Sequence, residues 1–306
     1  MAFPVKTGVP SHAGTYTPEI WSGKLLVKFY TATVLAQIAN TDYEGEIKAH
    51  GDTVHIRIVP DINIKDYVVG QDLVYETPAP DEIKLLINKG KYYGFKVSDV
   101  QKFQSDIAYL ERWSDDAGMQ LKARVDKDVL ADIYDDVDPK NEGATAGKVE
   151  GSIDLGSVGS PVAMSKVNVV DKIVQCGQVL DEQDVPGDNR WMVLPAWACT
   201  RIKTSDLKDA SMTGDGKSIL RNGRIGMIDR FTLYSSNQVA SVTDGADTVF
   251  NCPFGHKSAL TFASQFIENE MIDNPNDFGK LVRGLQVYGY KVAKPLAMGN
   301  LYAKAA

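Results

Sequence analysis

The amino-acid sequence predicts an α+β protein in which one long helix stands among strands, turns and shorter helices. From Val97 to Val137, apolar residues recur every three or four positions, which is the helical period. Other stretches alternate apolar and polar side chains, as from Thr53 to Val59 and from Lys280 to Lys294, which is the period of a strand. The chain has 306 residues, 43% of them apolar and 24% charged. This composition is typical of a globular protein with one large domain or two intergrown ones.

The long helix has signals at both ends. Ser98 and Gln101 have the spacing of a capping box, and Asp138-Pro139 ends the run because proline cannot continue the hydrogen-bond ladder. At about 1.5 Å per residue, the segment is expected to be roughly 60 Å long. From Ala117 onwards every apolar step is four residues, which turns the apolar face by roughly 40° per step. We therefore expect a spine that meets different neighbours along its length, although a long helix inside an ordinary enzyme stays open.

The first forty residues are apolar without being compact. Residues 1–16 are rich in proline and glycine, which indicates an extended arm. Thr17 can cap a helix whose apolar face includes Trp21, Leu25 and Phe29, and a second short helix is expected around residues 34–38. Such a segment is expected to pack along another surface, such as a neighbouring subunit.

A long hairpin is predicted between the arm and the spine. Residues 53–59 and 83–97 alternate as two strands, and residues 61–80 form the loop between them. Loops of that length are uncommon in compact domains unless they are functional. Its apolar residues have no evident partner in their own chain: Ile62, Ile64, Tyr67, Val68 and Val69.

The second half of the chain indicates another α+β region after a glycine-rich linker at residues 139–160. A helix is expected from Ser165 to Leu180, and its predicted inward residues are Val167, Val170, Val174, Gly177 and Leu180. The run from Trp191 to Pro195 is continuously apolar, so it is predicted to be a central strand covered on both faces.

Further elements follow towards the carboxyl end. A strand is predicted over Gly223–Asn237, a hairpin turn at Asp244-Gly245 and a helix from His256 to Ile267. The last predicted element is the strand from Lys280 to Lys294, which is long enough to lie beside the spine helix.

The sequence contains no motif that argues for catalysis, a cofactor or a metal ion. The glycine-rich run Gly214–Ser218 lacks the first glycine of a phosphate-binding loop, and the four histidines lack the spacing of a metal pair. The acidic residues Asp132, Asp135 and Asp136 could be mistaken for catalytic carboxylates, but we expect solvated charges. Three widely separated cysteines predict buried thiols: Cys176, Cys199 and Cys252.

Charge and hydropathy exclude two further classes. The formal net charge of -7 argues against nucleic acid as the main partner, since nucleic-acid binding relies on clustered Lys and Arg. No run of 18 or more apolar residues occurs, and the first ten residues lack the pattern of a secretory signal. We therefore expect a protein without a membrane span, present in the cytosol where it is made.

Several stretches, in this order and spacing, carry a resemblance to a known family. They are Asn40–Glu46, Gly51–Val54, Val185-Pro186, Arg190–Pro195, Tyr234–Asn237 and Phe278–Gly289. With the arm, hairpin, spine and returning strand around them, the chain resembles the major capsid (coat) proteins of tailed bacteriophages, the Hong Kong 97 type of shell subunit. Within that family it is most similar to the group with a Salmonella-phage-like coat protein. One departure is Arg230, where the family usually has a glycine before the aromatic residue, which leaves the expected bend open.

The resemblance implies a division of the chain into five parts. They are an N-terminal arm over residues 1–45, an extended loop hairpin over 46–96, a peripheral domain with the spine helix over 97–160, an axial domain over 161–272, and a return strand of the peripheral domain over 273–306. The implied subunit interface includes the arm residues Trp21, Leu25 and Phe29 and the loop residues Ile62, Ile64, Tyr67, Val68 and Val69.

The resemblance also implies a structural role. Subunits of this type assemble with themselves into hexamers and pentamers of an icosahedral shell around double-stranded DNA, which they contact only non-specifically. A scaffolding protein, a portal protein and a decoration protein are the implied partners, and the implied location is the virion, after assembly in the host cytoplasm. Two other classes stay open: a nanocompartment shell of the same fold that encloses cargo proteins, and an enzyme with an unrecognised site.

Overall fold

Two larger β-sheets and one two-stranded ribbon organise the computed structural model. The structure describes residues 33–42, 53–58, 60, 62–78, 82–98, 109–205, 226–275 and 277–306. The predicted helix from Thr17, with Trp21, Leu25 and Phe29, and the glycine-rich run Gly214–Ser218 lie outside these residues. The described elements mix strands and helices, as the sequence predicts for an α+β protein.

A seven-stranded sheet, here called the core sheet, contains the central strand that the sequence predicts. Its strands, in spatial order, are β4 (Val162–Met164), β12 (Met298–Ala305), β9 (Asp247–His256), β5 (Arg190–Leu194), β7 (Phe231–Ser235) and β6 (Met227–Ile228), with β8 (Ser241–Asp244) paired to β9. All five residues of β5 are buried, and the strand lies between β7 and β9. A continuous apolar run suits a strand that is covered on both faces, which confirms the prediction for Trp191 to Leu194.

A three-stranded sheet, here called the outer sheet, joins the hairpin to the return strand. Its order is β10 (Leu260–Asp273), β11 (Gly279–Val292) and β3 (Lys89–Ser98), all antiparallel. The hairpin itself is a separate two-stranded ribbon of β1 (Thr53–Arg57) and β2 (Glu82–Leu86). The predicted strand from Lys280 to Lys294 is therefore confirmed as β11, whereas the predicted helix from His256 to Ile267 is wrong, because this stretch ends β9 and begins β10.

Four α-helices are described: α1 (Leu35–Ile38), α2 (Tyr109–Asp132), α3 (Val169–Glu182) and α4 (Ala196–Thr204). The spine helix α2 has 24 residues, so at about 1.5 Å per residue its described length is roughly 36 Å. Its predicted start at Val97 is wrong, because Val97 and Ser98 are the last residues of β3 and pair with Lys280 and Gly279. Val97 is an apolar residue of an alternating strand, and its spacing from the next apolar residue also fits a helix. The spacing alone therefore extended the predicted helix too far.

The spine helix meets different surroundings along its length, as the rotating apolar face predicts. Trp113 near its start is 42% exposed, whereas Val125 and Val129 are buried in the main core. The helix then tightens into a 3-10 turn over Ile133–Asp136, in which Ile133 is buried.

The buried face predicted for α3 is confirmed at Gly177 and Leu180, which are buried, and wrong at Val167 and Val174. Val167 precedes the helix and is exposed, and Val174 is 45% exposed. Val169, Ile173 and Cys176 face the core instead. Several apolar stripes fit this valine-rich segment, so the period alone could not select the buried one. The three cysteines are free and buried, as predicted.

The predicted strand over Gly223–Asn237 is interrupted by a tight turn. Asp229 and Arg230 adopt φ values of 45° and 64° between β6 and β7, so the bend is present although Arg230 replaces the expected glycine. Arg230 donates to Asp181, which also accepts from the fully buried side chain of Arg190. These bonds hold the left-handed turn against α3, which offsets the backbone strain of a non-glycine residue.

Two further features fix the outline of the fold. The Asp244-Gly245 turn joins β8 to β9 as predicted, with Gly245 at φ 62°. The final strand β12 has no predicted counterpart, and it pairs with β9 and β4 in the core sheet. None of the described helices is both long and apolar enough to cross a membrane.

Candidate assembly interface

The hairpin that the sequence singles out is anchored at its base. Leu85 and Ile87 are buried in a small cluster with Ala263 of β10. A Cβ added at Gly289 would lie 2.2 Å from the carbonyl oxygen of Leu86, so the return strand approaches the hairpin backbone as closely as only glycine allows. The base is therefore fixed to the outer sheet.

The hairpin tip, residues 62–78, exposes the apolar side chains that the sequence predicts to be at an interface. Their exposed fractions are 63% for Ile62, 93% for Ile64, 67% for Tyr67, 64% for Val68 and 89% for Val69. Large contiguous apolar exposure on a soluble protein marks an interaction surface. The structure thus brings these five residues together on one exposed segment.

Local contacts give the tip its shape. The Asn63 amide donates to Glu76 at 2.7 Å, and Lys65 Nζ donates to the Val74 carbonyl at 3.3 Å. A turn from Val68 to Gln71, with Gly70 at φ 90°, closes the end. These hydrogen bonds all join residues within the tip, so its form does not depend on the core sheet.

Three further tip residues share this exposure and were not predicted from the sequence. Leu73, Val74 and Tyr75 are 62%, 70% and 85% exposed. They form an apolar run on the returning side of the loop. The signal that could have identified them in the sequence is the lack of an apolar segment to cover them, as for the five predicted residues.

A second apolar surface lies between β3 and the spine helix. An open groove of about 740 Å³ there is lined by residues that include Tyr92, Phe95 and Trp113. Tyr92 is 82% exposed, and the rings of Phe95 and Trp113 meet edge to face at 5.8 Å. This groove gives the outer sheet a concave apolar surface on the spine side.

The described part of the arm packs on its own chain. Val34 and Leu35 donate their backbone N–H groups to Asp126 Oδ1 at 3.1 and 2.9 Å, and Ile38 is fully buried. Asn40 forms a parallel bridge with Thr261 of β10. Burial raises the pKa of Asp126 despite these two hydrogen bonds. The short helix expected around residues 34–38 is thus confirmed and capped by the spine.

Three ion pairs, here called the spine ladder, join the spine to the outer sheet. They are Lys91 with Asp128 at 2.6 Å, Lys89 with Asp132 at 2.7 Å and Lys291 with Asp136 at 2.9 Å. The three acids follow one another at intervals of four residues and therefore share a helix face. Asp132 and Asp136 are exposed, as expected for solvated charges, and lysines on two neighbouring strands also pair with them.

Tyrosines reinforce the spine ladder. Tyr290 donates to Asp132, and Lys89 Nζ lies 4.1 Å from the centre of the Tyr290 ring. The hydrogen bond from Lys89 lowers the pKa of Asp132, and that from Tyr290 adds to the effect. Burial, with the charge of Asp128, raises the pKa of Tyr288 to about 12. The ladder therefore favours an ionised Asp132 and neutral tyrosines.

Metal-binding side chains do not cluster in the described part of the chain, where no three residues of the His, Cys, Asp or Glu type lie close enough to hold one metal ion. His55 instead contacts Glu82 at 2.9 Å, and His256 contacts Ser258 at 2.8 Å.

Comparison with solved structures identifies the fold. No protein-family profile and no curated protein matches the sequence. A structure from Mycobacterium phage Che8 matches with a TM-score of 0.75 and 26% identity, over 94% of this chain and 97% of that one. The capsid structure of the cyanophage P-SCSP1u matches with a TM-score of 0.72 and 14% identity, over 100% of both chains. The mature capsid of bacteriophage PhiM1 matches with a TM-score of 0.65 and 14% identity, over 94% of this chain and 92% of that one.

These matches extend over nearly the whole chain, so the likeness includes the hairpin, the spine and both sheets. The chain therefore has the Hong Kong 97 type of fold found in the major capsid proteins of tailed bacteriophages.

Proposed function

We propose that this chain is a major capsid protein, the structural subunit of a phage head. The observation that carries the proposal is the match over the full length of both chains to a phage capsid structure. The exposed hairpin tip supports it, because a segment with so many exposed apolar side chains gains stability only when another chain covers it. Capsids of phages and of a GTA particle recur among the similar structures, which favours a phage-type head over a cargo-enclosing compartment.

The subunits assemble with themselves into hexamers and pentamers of an icosahedral shell that encloses double-stranded DNA. Closed shells of identical chains need surfaces that meet the same complementary surface on every neighbour. The net charge of -7 suits a wall that contacts the DNA only non-specifically and does not retain it.

The interface consists of the hairpin tip and the arm. Ile62, Ile64, Tyr67, Val68 and Val69 pack on a neighbouring subunit, and the groove beside Trp113 is a surface of suitable apolar character. Burying each large side chain contributes on the order of 1.5 to 3 kcal/mol. The arm residues Trp21, Leu25 and Phe29, which lie outside the described part, complete this proposed interface.

The protein acts as a structural component and not as an enzyme. Its further proposed partners are a scaffolding protein, a portal protein and a decoration protein, and its location is the virion after assembly in the host cytoplasm.

Light scattering and negative-stain electron microscopy of the purified protein test the proposal. We expect rings or closed shells without added metal or nucleotide, produced alone or with a co-expressed scaffolding protein. A sharp monomer at all concentrations in both preparations would overturn it. Phage packaging genes beside the coding gene would separate a phage head from a nanocompartment.

A further inference from the structure

The outer sheet ends in a free edge along β3. The Asn40 amide donates to the Leu260 carbonyl, and the Phe262 amide donates to the Asn40 carbonyl, so these two β10 residues direct their backbone groups away from β11. Backbone direction alternates along antiparallel strands, and the partner registers carry this alternation through β11 to β3. Tyr92 and Gly94 therefore direct their N–H and C=O groups away from β11, where no described residue bonds to them.

The groove between β3 and the spine helix opens onto this edge. Gly94 lines the groove, and because it has no side chain, its backbone forms that part of the wall. The facing wall is one side of the spine helix, with residues three or four positions apart, namely Trp113, Ala117, Gln120, Arg124 and Lys127. An unpaired strand edge is a template for another strand, and here a helix face lies beside it. The shape therefore suits a single extended polypeptide segment.

The two ends of the groove differ in chemistry. The rings of Phe95 and Trp113 form an aromatic end, where they meet edge to face at 5.8 Å. Asp116, which also lines the groove, lies within one helical turn of Trp113. The other end is lined by three cations: Lys91, Arg124 and Lys127. The positive charge of the groove is therefore concentrated at the end away from the aromatic rings.

Part of this positive charge is uncompensated by the described chain. Asp128 pairs with Lys91 at 2.6 Å and with Arg124 at 3.3 Å. Lys127 is exposed and forms no ion pair with any described residue. Because Lys91 and Phe95 are four residues apart on the same face of β3, a strand that fits both ends carries an apolar side chain and, four residues along, a carboxylate.

The hairpin tip suits the aromatic end of the groove but not the free edge. Its Asn63 N–H already donates to Glu76 at 2.7 Å, within the tip. By strand alternation, the outward backbone groups of residues 62–66 then belong to Ile64 and Asp66. Pairing through them would place the Asp66 side chain on the face of the sheet opposite the spine helix, away from the cations. A separate acidic segment meets both requirements.

We propose that this groove binds an extended acidic segment of a partner polypeptide, which adds to the free edge of β3 as an antiparallel fourth strand. An apolar side chain of the segment packs on Trp113, and a carboxylate four residues later pairs with Lys127. The backbone between them bonds to Tyr92 and Gly94. The antiparallel direction matches the rest of the outer sheet. The proposal goes beyond the proposed function and does not depend on shell assembly, because all of the groove residues belong to one chain.

The experiment uses the peptide Thr-Phe-Thr-Ala-Thr-Glu-Thr-amide, labelled with fluorescein at its amino end, titrated with the purified full chain and followed by fluorescence anisotropy. We expect saturable binding. Methylation of the amide nitrogen of the fifth residue, which lies opposite Tyr92, should weaken binding about tenfold or more, because a hydrogen bond is lost and a methyl group meets the strand edge. Methylation at the fourth residue, whose N–H faces away from β3, is the matched control and should change the affinity less than threefold.

The carboxylate is tested by combining changes in the peptide and in the chain. Glutamine in place of the glutamate should weaken binding about threefold to fivefold, and Lys127→Gln should weaken it by a similar factor. The two changes together should weaken binding no more than either alone, since they remove the same pair. The matched control is Lys122→Gln, an exposed lysine of the spine helix outside the groove, which should leave the affinity unchanged.

Each other outcome overturns the proposal. Equal binding of the two methylated peptides would show that no strand is added to β3. Unchanged binding to Lys127→Gln would show that the carboxylate is not recognised there. Binding only by a chain whose residues 61–80 are replaced by a Gly-Ser turn would make the hairpin tip of another copy the occupant, and the absence of binding by both chains would remove the site.

Discussion

The core sheet and the hairpin tip contain similar apolar side chains in opposite environments. Trp191, Met192 and Val193 in β5 are at most 2% exposed, and strands on both sides pair with Trp191 and Met192. Ile64 and Val69 in the tip are 93% and 89% exposed. Composition therefore does not separate the two regions.

The difference teaches what each region contributes. Core residues gain their burial energy within the chain, so they determine whether the subunit folds. Tip residues keep their apolar area exposed, so their contribution is realised only when another subunit covers them. If this division is right, substitutions in the two regions should affect different measurements.

The largest effect is expected from Val193→Asp in the centre of the core sheet. Val193 is fully buried, and an unpaired carboxylate there costs several kcal/mol by rough transfer estimates, which is a large part of a domain's stability. We expect loss of cooperative thermal unfolding in circular dichroism and little soluble protein. The control Val167→Asp changes a side chain that is 73% exposed and should unfold normally. A soluble Val193→Asp variant that still assembles would break the comparison.

Replacing residues 61–80 with a short Gly-Ser turn tests the other side of the division. Shortening a loop changes closure entropy only slightly, so the unfolding free energy of the dissociated subunit should change by about 1 kcal/mol. Each large apolar side chain removed from an interface weakens it by on the order of 1.5 to 3 kcal/mol, and the effect recurs at every subunit. Assembly should therefore fail while folding persists. Thermal unfolding beside electron microscopy measures both, and normal shells or an unfolded subunit would each contradict the assignment.

The arm segment 33–42 is a third region for this comparison, and Asp126 of the spine helix holds its start. Asp126→Ala would leave the Val34 and Leu35 amides without an acceptor, at a cost of about 2 kcal/mol or more. We expect faster hydrogen exchange at these two amides with little change in β5. Unchanged exchange would mean that burial of Ile38 alone holds the arm.

The same anchor should depend on pH in a defined direction. The folded-state pKa of Asp126 is raised above its unfolded value of about 3.9, so stability falls as the pH rises through the folded pKa. Asp126→Asn keeps an acceptor and removes this titration. The protection of the Val34 amide, which is its exchange rate relative to that of an unstructured amide at the same pH, should therefore depend less on pH in that variant.

Gly177 tests how tightly the left-handed turn packs on α3. A Cβ at Gly177 would lie 1.8 Å from Asp229 Oδ2, so Gly177→Ala should destabilise the chain by about 1 to 3 kcal/mol. In the background of Asp229→Gly the clash is gone, and alanine should instead stabilise the helix by about 0.5 to 1 kcal/mol. Urea unfolding of the four chains gives the coupling energy, and additive effects would show that Asp229 moves aside freely.

The smallest effect is expected in the spine ladder. The side chains of Lys89 and Asp132 are 39% and 56% exposed, so Lys89→Met should cost about 1 kcal/mol or less. The folded-state pKa of Asp132 is lowered, so the stabilisation is present above its unfolded pKa of about 3.9 and is lost as the pH falls through the folded value. Urea unfolding at neutral and acidic pH should show a smaller acid effect in the variant. An equal acid effect in both chains would assign it to other carboxylates.

Side-chain period predicted the correct elements where one pattern was strong and continuous. The run Trp191–Leu194, the alternation of β11 and the Asp244-Gly245 turn each depend on local chemistry, and the structure contains all three. The apolar residues of the loop had no evident partner in the sequence, and the structure exposes them in the hairpin tip.

What the sequence alone determined was therefore the α+β class, the central strand, the buried cysteines and an apolar loop without a partner, because each follows from neighbours along the chain. Only the tertiary structure decided that Val97 and Ser98 belong to β3, which valines of the α3 segment are buried and how β12 enters the core sheet. It also decided that lysines of β3 and β11 pair with Asp132 and Asp136. These facts depend on contacts between segments far apart in sequence, and a period or a motif contains no information about which distant residue will supply the partner.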